Sequence, residues 1–388
     1  VAIGLALCIL GGRLAARANT FADRSRFFYQ ISPEGYVYPT LENLLQFVRE
    51  RAAHDKILIL SAGSSISLGV GQQNGHLWTN LLQTELGDQF SVVNLSFRSA
   101  KFTSIGLPIM EILSREYPRL LFVTETRPGY APDWMQYDFG SYAYPYNYLM
   151  VQAWLSGKLL SNPIRDEKVR EALQSADELT QLRAREDLIR ALLEKVTSAS
   201  DLWNYLSYKY FFTVFSPVQS PNFPFWVPRS ELPDDESFFV FDPEGLKARE
   251  AHELRILKGA YVERVGMAQN KLQLSDIALQ SFAAIEKAIP DLTLRARTLF
   301  LVTTRNPVLT EQLSSTDWQR YQLSVFDWSQ KLNQAGFATL SVGMNYQGED
   351  FIDAHHFSNK GGARMASEIA PIIRQMAEKN GWLDQTIK

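Results

Sequence analysis

The chain has 388 residues, of which 46% are hydrophobic, so it can bury a large core as one elaborated domain or as two. Its formal net charge of -3 excludes the strongly basic field that binding along a nucleic-acid backbone requires. The single cysteine, Cys8, excludes an intramolecular disulfide and a thiolate zinc cluster, so a metal site would need histidine and carboxylate ligands.

The first twelve residues, VAIGLALCILGG, form an uncharged apolar run that ends before Arg13 and Arg17. This run is shorter than the ~20 residues that a membrane-spanning helix needs. Because the chain does not begin with Met, we interpret residues 1–20 as a truncated membrane anchor or as the core of a signal peptide. A buried N-terminal helix is the alternative. We therefore expect an exported or membrane-anchored, extracytoplasmic protein that meets the membrane through this segment.

Short apolar runs alternate with amphipathic stretches along the rest of the chain, which is typical of a mostly parallel sheet covered by helices. We predict strands at 57–62, 90–95, 119–124, 298–303 and 337–342. We predict helices at 76–87, 103–116, 311–335 and 359–379. The predicted fold is a three-layer α/β/α sandwich with a five-stranded, mostly parallel sheet.

The third and fourth predicted strands are separated by about 170 residues, whereas connections in α/β units usually take ~2–6 residues. We therefore predict an inserted, mainly helical subdomain at 131–295, between core segments at 21–130 and 296–388. Residues 165–196 carry leucine and valine at helical spacing, which indicates solvated helices over an apolar stripe.

A proline-rich and aromatic stretch follows these predicted helices. Its residues Phe223, Phe225 and Trp226 either pack the insertion onto the sheet or form a rim on which a sugar or an acyl chain lies. Both interpretations remain open at the level of the sequence.

Two polar motifs lie where the catalytic residues of a hydrolase are expected. The first predicted strand runs into the sequence GSS, which ends at Ser65, and Asp353 stands three residues before His356, just ahead of the last predicted helix. A Ser-His-Asp triad needs a nucleophile, a histidine within hydrogen-bond reach and a carboxylate that orients this histidine. We therefore predict a triad of Ser65, His356 and Asp353, with His355 as an alternative base.

These motifs resemble those of the SGNH (GDSL-like) hydrolase superfamily, whose first block reads Gly-Asp-Ser and whose last reads Asp-x-x-His before a glycine-containing helix. The resemblance covers about 57–127 and 298–379, with Ser64 in place of the usual aspartate. It implies a flavodoxin-like core of SGNH type and a nucleophilic role for Ser65.

The resemblance also implies oxyanion donors in two further blocks. In the second block Asn94 matches, and Ser96 stands where the family has a glycine whose backbone N–H binds the oxyanion, so we expect the N–H of Ser96 to replace it. The third block, Gly-x-Asn-Asp, is missing. We expect Thr126 or Arg127 to substitute for its asparagine, or Arg127 to bind an anionic substrate. Glu125 is expected to pair with Arg127 or a neighbouring lysine.

The function implied by the resemblance is serine-dependent O-acyl ester hydrolysis or O-acyl transfer through an acyl-Ser65 intermediate. The apolar N-terminal run, the large insertion and the altered third block are similar to membrane-anchored SGNH proteins of teichoic acid D-alanylation and alginate acetylation. We therefore expect a bacterial cell-envelope protein that acts on an envelope or extracellular polysaccharide, with a membrane acyltransferase as a candidate partner. No nucleotide-binding loop or paired metal-ligand motif occurs, so we expect no cofactor and no metal.

Two other interpretations of the motifs make structural predictions. In a catalytically silent SGNH-like domain, which binds polysaccharide or partners a membrane acyltransferase, Ser65 and His356 would lie too far apart to hydrogen-bond, or the insertion would fill the cleft. In a plain flavodoxin-like domain with coincidental motifs, His356 would lie away from the carboxyl ends of the strands.

Overall fold

The computed structural model describes residues 2–22, 26, 39–97, 99–130, 134, 144–207, 215–217, 226–228 and 243–383. The helices are α1 Ala2–Arg17, α2 Leu41–Arg49, α3 Ser65–Leu68, α4 Trp78–Leu86, α5 Gly106–Leu113, α6 Tyr144–Leu155, α7 Pro163–Leu173, α8 Glu178–Thr197, α9 Ala199–Leu206, α10 Pro243–Ala248, α11 Glu250–Ala260, α12 Asp276–Ala288, α13 Leu292–Ala296, α14 Pro307–Thr310, α15 Ser315–Gln334 and α16 Asn359–Lys379. The strands are β1 Ile57–Ser61, β2 Phe90–Asn94, β3 Leu120–Thr126, β4 Phe215–Pro217, β5 Trp226–Pro228, β6 Val265–Ala268, β7 Lys271–Leu274, β8 Thr298–Thr303 and β9 Ala338–Val342.

The central sheet has five strands in the order β2-β1-β3-β8-β9, and every neighbouring pair is parallel. β1, β3 and β8 are buried along their whole length. This burial is expected because helices cover both faces of a parallel sheet, so its central strands are apolar at nearly every position. The five predicted strands are confirmed, and the four predicted helices correspond to α4, α5, α15 and α16.

Alternate side chains of each strand belong to two apolar cores on opposite faces of the sheet, because successive residues of a strand point to opposite sides. Leu58 and Leu60 of β1 belong to the core beneath α2, α5 and α15. Ile57 and Ile59 belong to the core beneath α4 and α16. The architecture is therefore α/β, with helices on both faces of a parallel sheet, as predicted from the sequence.

The segment between β3 and β8 is mainly helical where it is described, and it also carries the antiparallel hairpins β4-β5 and β6-β7. A buried ion pair connects it to the core, with Arg165 Nη1 of α7 2.7 Å from Glu111 Oε2 of α5. Trp226 begins β5, whereas Phe223 and Phe225 lie outside the described residues, so their proposed roles stay predictions.

Helix α1 is docked by one half and exposed along the other. Gly12, Ala15 and Ala16 are buried, whereas residues 2–8 are exposed. The docked half packs on α9, α2 and α8. Within the described ranges, no helix combines the length and the apolar character that crossing a membrane requires.

Candidate active site

Ser65, His356 and Asp353 meet at the carboxyl edge of the sheet. Ser65 Oγ lies 2.8 Å from Nε2 of His356, and Nδ1 of His356 lies 2.7 Å from Oδ2 of Asp353. Ser65 begins α3 directly after β1, whereas the other two residues lie between β9 and α16. The fold joins positions 291 residues apart because the carboxyl ends of parallel strands share one edge of the sheet. The structure thus brings together the three residues predicted as a triad.

The turn that carries Ser65 is attached to the neighbouring strand β3. Glu125 of β3 accepts hydrogen bonds from the N–H of Ser64 and from Oγ of Ser67. A Cβ added to Gly63 would overlap the carboxyl group of Glu125 and approach Ser67 Oγ to 2.8 Å. Glycine is therefore required at this position by the close approach of the Glu125 side chain.

Glu125 is buried in this contact, and burial affects its charge. Burial raises the pKa of its carboxyl group, although the hydrogen bonds from Ser64 and Ser67 and the charge of Arg127 act in the opposite direction. A raised pKa favours the neutral, protonated carboxyl beside the turn. Its hydrogen bonds go to the turn rather than to Arg127 or a lysine, because β3 lies directly beside β1 in the sheet.

Asn94, the last residue of β2, supports the same turn, and Ser96 hydrogen-bonds to Asn94. Asn94 Nδ2 donates to the carbonyl oxygen of Ser67 at 3.1 Å, and Trp78 Nε1 donates to that oxygen at 2.8 Å. The N–H of Ser96 donates to Asn94 Oδ1 at 2.9 Å, and Ser96 is fully buried. The structure therefore corrects the prediction that this N–H binds the oxyanion, because the side chain of Asn94 already accepts its hydrogen bond.

Asp353 orients His356 through both carboxylate oxygens. Oδ1 accepts hydrogen bonds from the N–H groups of His355 and His356 at 2.9 and 2.8 Å, and Oδ2 faces the imidazole of His356. Burial alone would raise the pKa of Asp353, but the hydrogen bond and charge of His356, with the hydrogen bond from the N–H of His355, lower this pKa well below its usual range. An ionised Asp353 favours the tautomer of His356 with the proton on Nδ1, which leaves Nε2 to accept the Ser65 proton.

Asn306, which no motif in the sequence indicates, supports the loop that carries Asp353. Its Nδ2 donates to the carbonyl oxygen of Asp353 at 3.0 Å, and its N–H donates to that of Ala354 at 3.0 Å. Its Oδ1 also accepts from the N–H of Val308 at 3.0 Å and so caps α14. The Asn-Pro pair in the sequence signals the helix start but not the contact with the triad loop.

A cavity of about 340 Å³ opens beside Ser65, at the lower end of the volumes usual for small-ligand sites. Thr126 and Arg127, both predicted as site residues, line it. Oγ1 of Thr126 is buried and makes no hydrogen bond within the described part of the chain. The walls also include residues that the sequence motifs do not indicate, among them Ser99, Lys101, Tyr130 and Thr303.

Two cationic side chains of the cavity wall lie near one aromatic ring. Lys101 Nζ and the guanidinium carbon of Arg127 are each 5.5 Å from the centroid of the Tyr130 ring. A third cation, Arg305, follows β8 and is 5% exposed. These charges make the cavity suitable for a ligand that carries a negative charge.

His355 also lines the cavity, but the hydrogen bond to Ser65 comes from His356. The two imidazole rings are 4.0 Å apart between centroids. Burial lowers the pKa of His355 well below its usual value, and the positive charges of His356, Arg305 and Arg127 add to this effect. The neutral form of His355 is therefore favoured, and the hydrogen bond to Ser65 favours His356 over His355 as the candidate base.

Within the described residues, one group of three side chains has the spacing of metal ligands, and it consists of Asp353, His355 and His356, whose ligand atoms lie within 4.8 Å of one another. The imidazole nitrogens of His356 are already directed to Asp353 and Ser65. A metal ion bound by His356 here would have to displace one of these hydrogen bonds. The expectation that the site uses no metal stays a prediction.

Comparison of the chain with models of protein families, with curated proteins and with solved structures gives no match. The functional conclusion therefore depends on the sequence motifs and on the geometry of this site.

Proposed function

We propose that this chain is a serine-dependent O-acyl ester hydrolase or O-acyltransferase of SGNH type. The observation that carries the proposal is the hydrogen-bonded series from Ser65 through His356 to Asp353 at the carboxyl edge of the sheet. The strand order β2-β1-β3-β8-β9 supports it, because flavodoxin-like sheets have this order and bind their ligands at this edge.

The chemistry would proceed in two acyl transfers. His356 Nε2 removes the proton of Ser65 as Oγ attacks the ester carbonyl carbon, and Asp353 stabilises the resulting imidazolium. His356 then donates this proton to the departing alkoxide, which leaves as an alcohol, and the acyl group remains bonded to Ser65 Oγ. Water or an acceptor hydroxyl, deprotonated by His356, attacks the acyl carbon and regenerates Ser65.

The oxyanion of each step needs donors other than the Ser96 amide. The N–H of Ser65 is one candidate, because the first N–H groups of a helix have no intrahelical acceptor. A second hydrogen bond to the oxyanion could come from Oγ1 of Thr126 or from Ser99. Ser99 has a φ of 62°, which is uncommon for a residue other than glycine and is found preferentially at functional sites.

We propose that the substrate carries a negative charge close to the ester. Arg127 and Lys101 line the cavity and supply positive charge there, and the charge of the buried Arg305 acts on His355 of the cavity wall. Burial favours the neutral forms of Glu125 and His355. A uronate or phosphate unit of a cell-envelope or extracellular polysaccharide fits this charge. The proposed location is the bacterial cell envelope, with a membrane acyltransferase as the candidate partner that supplies or receives the acyl group.

The 2.8 Å contact between Ser65 and His356 and the open cavity beside it favour catalysis over the silent-domain alternative. The same contact opposes the interpretation of coincidental motifs, which needs His356 away from the strand ends.

The test is hydrolysis of an aryl acetate by the purified chain. We expect Ser65→Ala and His356→Ala to abolish release of acetate, while the matched controls Ser329→Ala on α15 and His252→Ala on α11 retain it. Activity that persists in a folded Ser65→Ala variant would reject the proposal.

A further inference from the structure

Three contacting helices expose large apolar side chains. On α1, Ile3 and Leu7 are 78% and 63% exposed, and on α8, Leu193 and Val196 are each 60% exposed. Trp203 of α9 is 64% exposed. Because α1 packs on both α9 and α8, these side chains lie on helices that contact one another. Single exposed apolar residues are normal, but this group on neighbouring helices, called here the apolar patch, is typical of an interaction surface.

Close packing makes the exposed half of α1 a fixed part of this surface. A Cβ added to Gly12 would overlap the backbone of Ser198, at the junction of α8 and α9, and one added to Gly11 would lie 3.5 Å from Leu202. These two glycines allow α1 to approach α9 and the junction of α8 and α9 closely. The protein therefore presents residues 2–8 from a docked helix.

We propose that α1, the C-terminal half of α8 and α9 form a lipid-binding surface, with residues 2–12 inserted into the hydrocarbon of a bilayer. This inference goes beyond the proposed esterase function and does not depend on it. It also assigns α8 and α9, which lie within the insertion, a role that the sequence motifs do not suggest.

The character of α1 favours lipid over a protein partner. All residues from 2 to 12 are uncharged, and residues 2–8 are exposed on every side of the helix rather than on one face. A groove on a partner protein covers one face of a helix, whereas hydrocarbon surrounds it.

The charges around the patch fit a headgroup layer. Arg13 and Arg17 are exposed directly after the apolar run, and α1 contains no acidic residue. Lys158 and Lys195 line the same groove as these arginines, a groove that also contains the carboxyl groups of Glu42, Glu194 and Asp201. Basic side chains beside an inserted helix reach the headgroups of anionic lipids, and an exposed tryptophan such as Trp203 is typical of a membrane interface.

Cys8 gives a direct probe of insertion, because it is the only cysteine and is exposed on α1. The full chain is labelled at Cys8 with a solvent-sensitive fluorophore and mixed with vesicles of phosphatidylethanolamine and phosphatidylglycerol. We expect a blue-shifted, brighter emission, protection from a quencher in water and quenching by a nitroxide on the lipid acyl chains.

The contribution of α8 is tested with the double variant Leu193→Asp/Val196→Asp. Its control is Phe326→Asp, which places one aspartate on α15 at a site that is 59% exposed and outside the patch. We expect the double variant to lower the vesicle partition coefficient at least tenfold, and the control to leave it unchanged.

Three results would overturn the inference. The label on the parent chain stays in water in the presence of vesicles, or the double variant, shown by circular dichroism to be folded, binds vesicles as the parent does. The third is a lipid-independent dimer that shields Cys8 without vesicle binding, which would make the patch an interface between copies of the chain.

Discussion

Replacing Glu125 tests whether the turn that carries Ser65 depends on a buried contact from β3. Glu125→Ala leaves the N–H of Ser64 and Oγ of Ser67 without their acceptor. A buried polar group without a partner costs about 1–3 kcal/mol, and the shortened side chain adds a cavity. We expect the free energy of unfolding in urea to fall by about 2–5 kcal/mol.

The activity of Glu125→Ala should fall mainly through kcat, because the change displaces the proposed nucleophile and alters only one of the residues that line the cavity. A displacement of about 1 Å costs roughly 100-fold in rate. Glu125→Gln keeps an oxygen for the N–H of Ser64, and the hydroxyl of Ser67 can rotate to accept from the new amide. We expect this variant to retain aryl acetate hydrolysis within about tenfold of the parent.

A double-mutant cycle with Gly63 sharpens the test. Gly63→Ala alone brings a methyl group against the carboxyl of Glu125, but in the Glu125→Ala background that group is absent. The two losses should therefore be non-additive, with an interaction energy of about 0.5–3 kcal/mol. Additive losses of stability and kcat, or a Glu125→Gln variant as impaired as Glu125→Ala, would refute the reasoning.

Three further predictions concern the triad acid, a buried carboxyl and the charge of the cavity. Asp353→Asn should lower kcat for aryl acetate about 10⁴-fold, because an amide no longer favours the productive tautomer of His356; a loss below tenfold contradicts the role of Asp353. Burial raises the pKa of Asp201 to about 7, against a hydrogen bond from Thr40 and with the charge of Glu194 adding to the rise. The native state therefore keeps a proton that the unfolded chain releases near pH 4, so stability is lost as the pH rises from about 4 to about 7, by at most about 1.4 kcal/mol per pH unit. Thermal unfolding should show Asp201→Asn gaining stability over the parent at about pH 8 and not at about pH 4, and an equal difference at both values would contradict this pKa. Arg127→Gln should raise KM for an aryl ester with a carboxylate in its acyl chain and leave KM for neutral aryl acetate unchanged; equal effects on both esters would argue against anion binding.

The sheet and the meeting of Ser65, His356 and Asp353 could be predicted from the sequence for two reasons. The runs ILILS of β1 and LLFVT of β3 are apolar at nearly every position, as strands covered on both faces must be. Ser65 and His356 stand at element ends, and parallel strands bring such ends to one edge.

The hydrogen-bond donors around the triad could not be predicted from the sequence, because they depend on contacts between elements. The N–H of Ser96 is taken by a side chain two residues away, a local bond that the family glycine pattern does not indicate. Glu125 meets the nucleophile turn only because of the order and register of β1 and β3. Ser99 and Lys101 lie outside the regular elements, where no periodicity indicates which side chains reach the cavity.

The most direct test of the central claim is mass spectrometry of the chain after reaction with a fluorophosphonate probe. The account predicts one adduct per chain, located on the peptide that contains Ser65 and specifically on that serine, and its loss in Ser65→Ala with retention in Ser329→Ala. An unlabelled, folded parent chain, or an adduct on another residue that persists in Ser65→Ala, would contradict it.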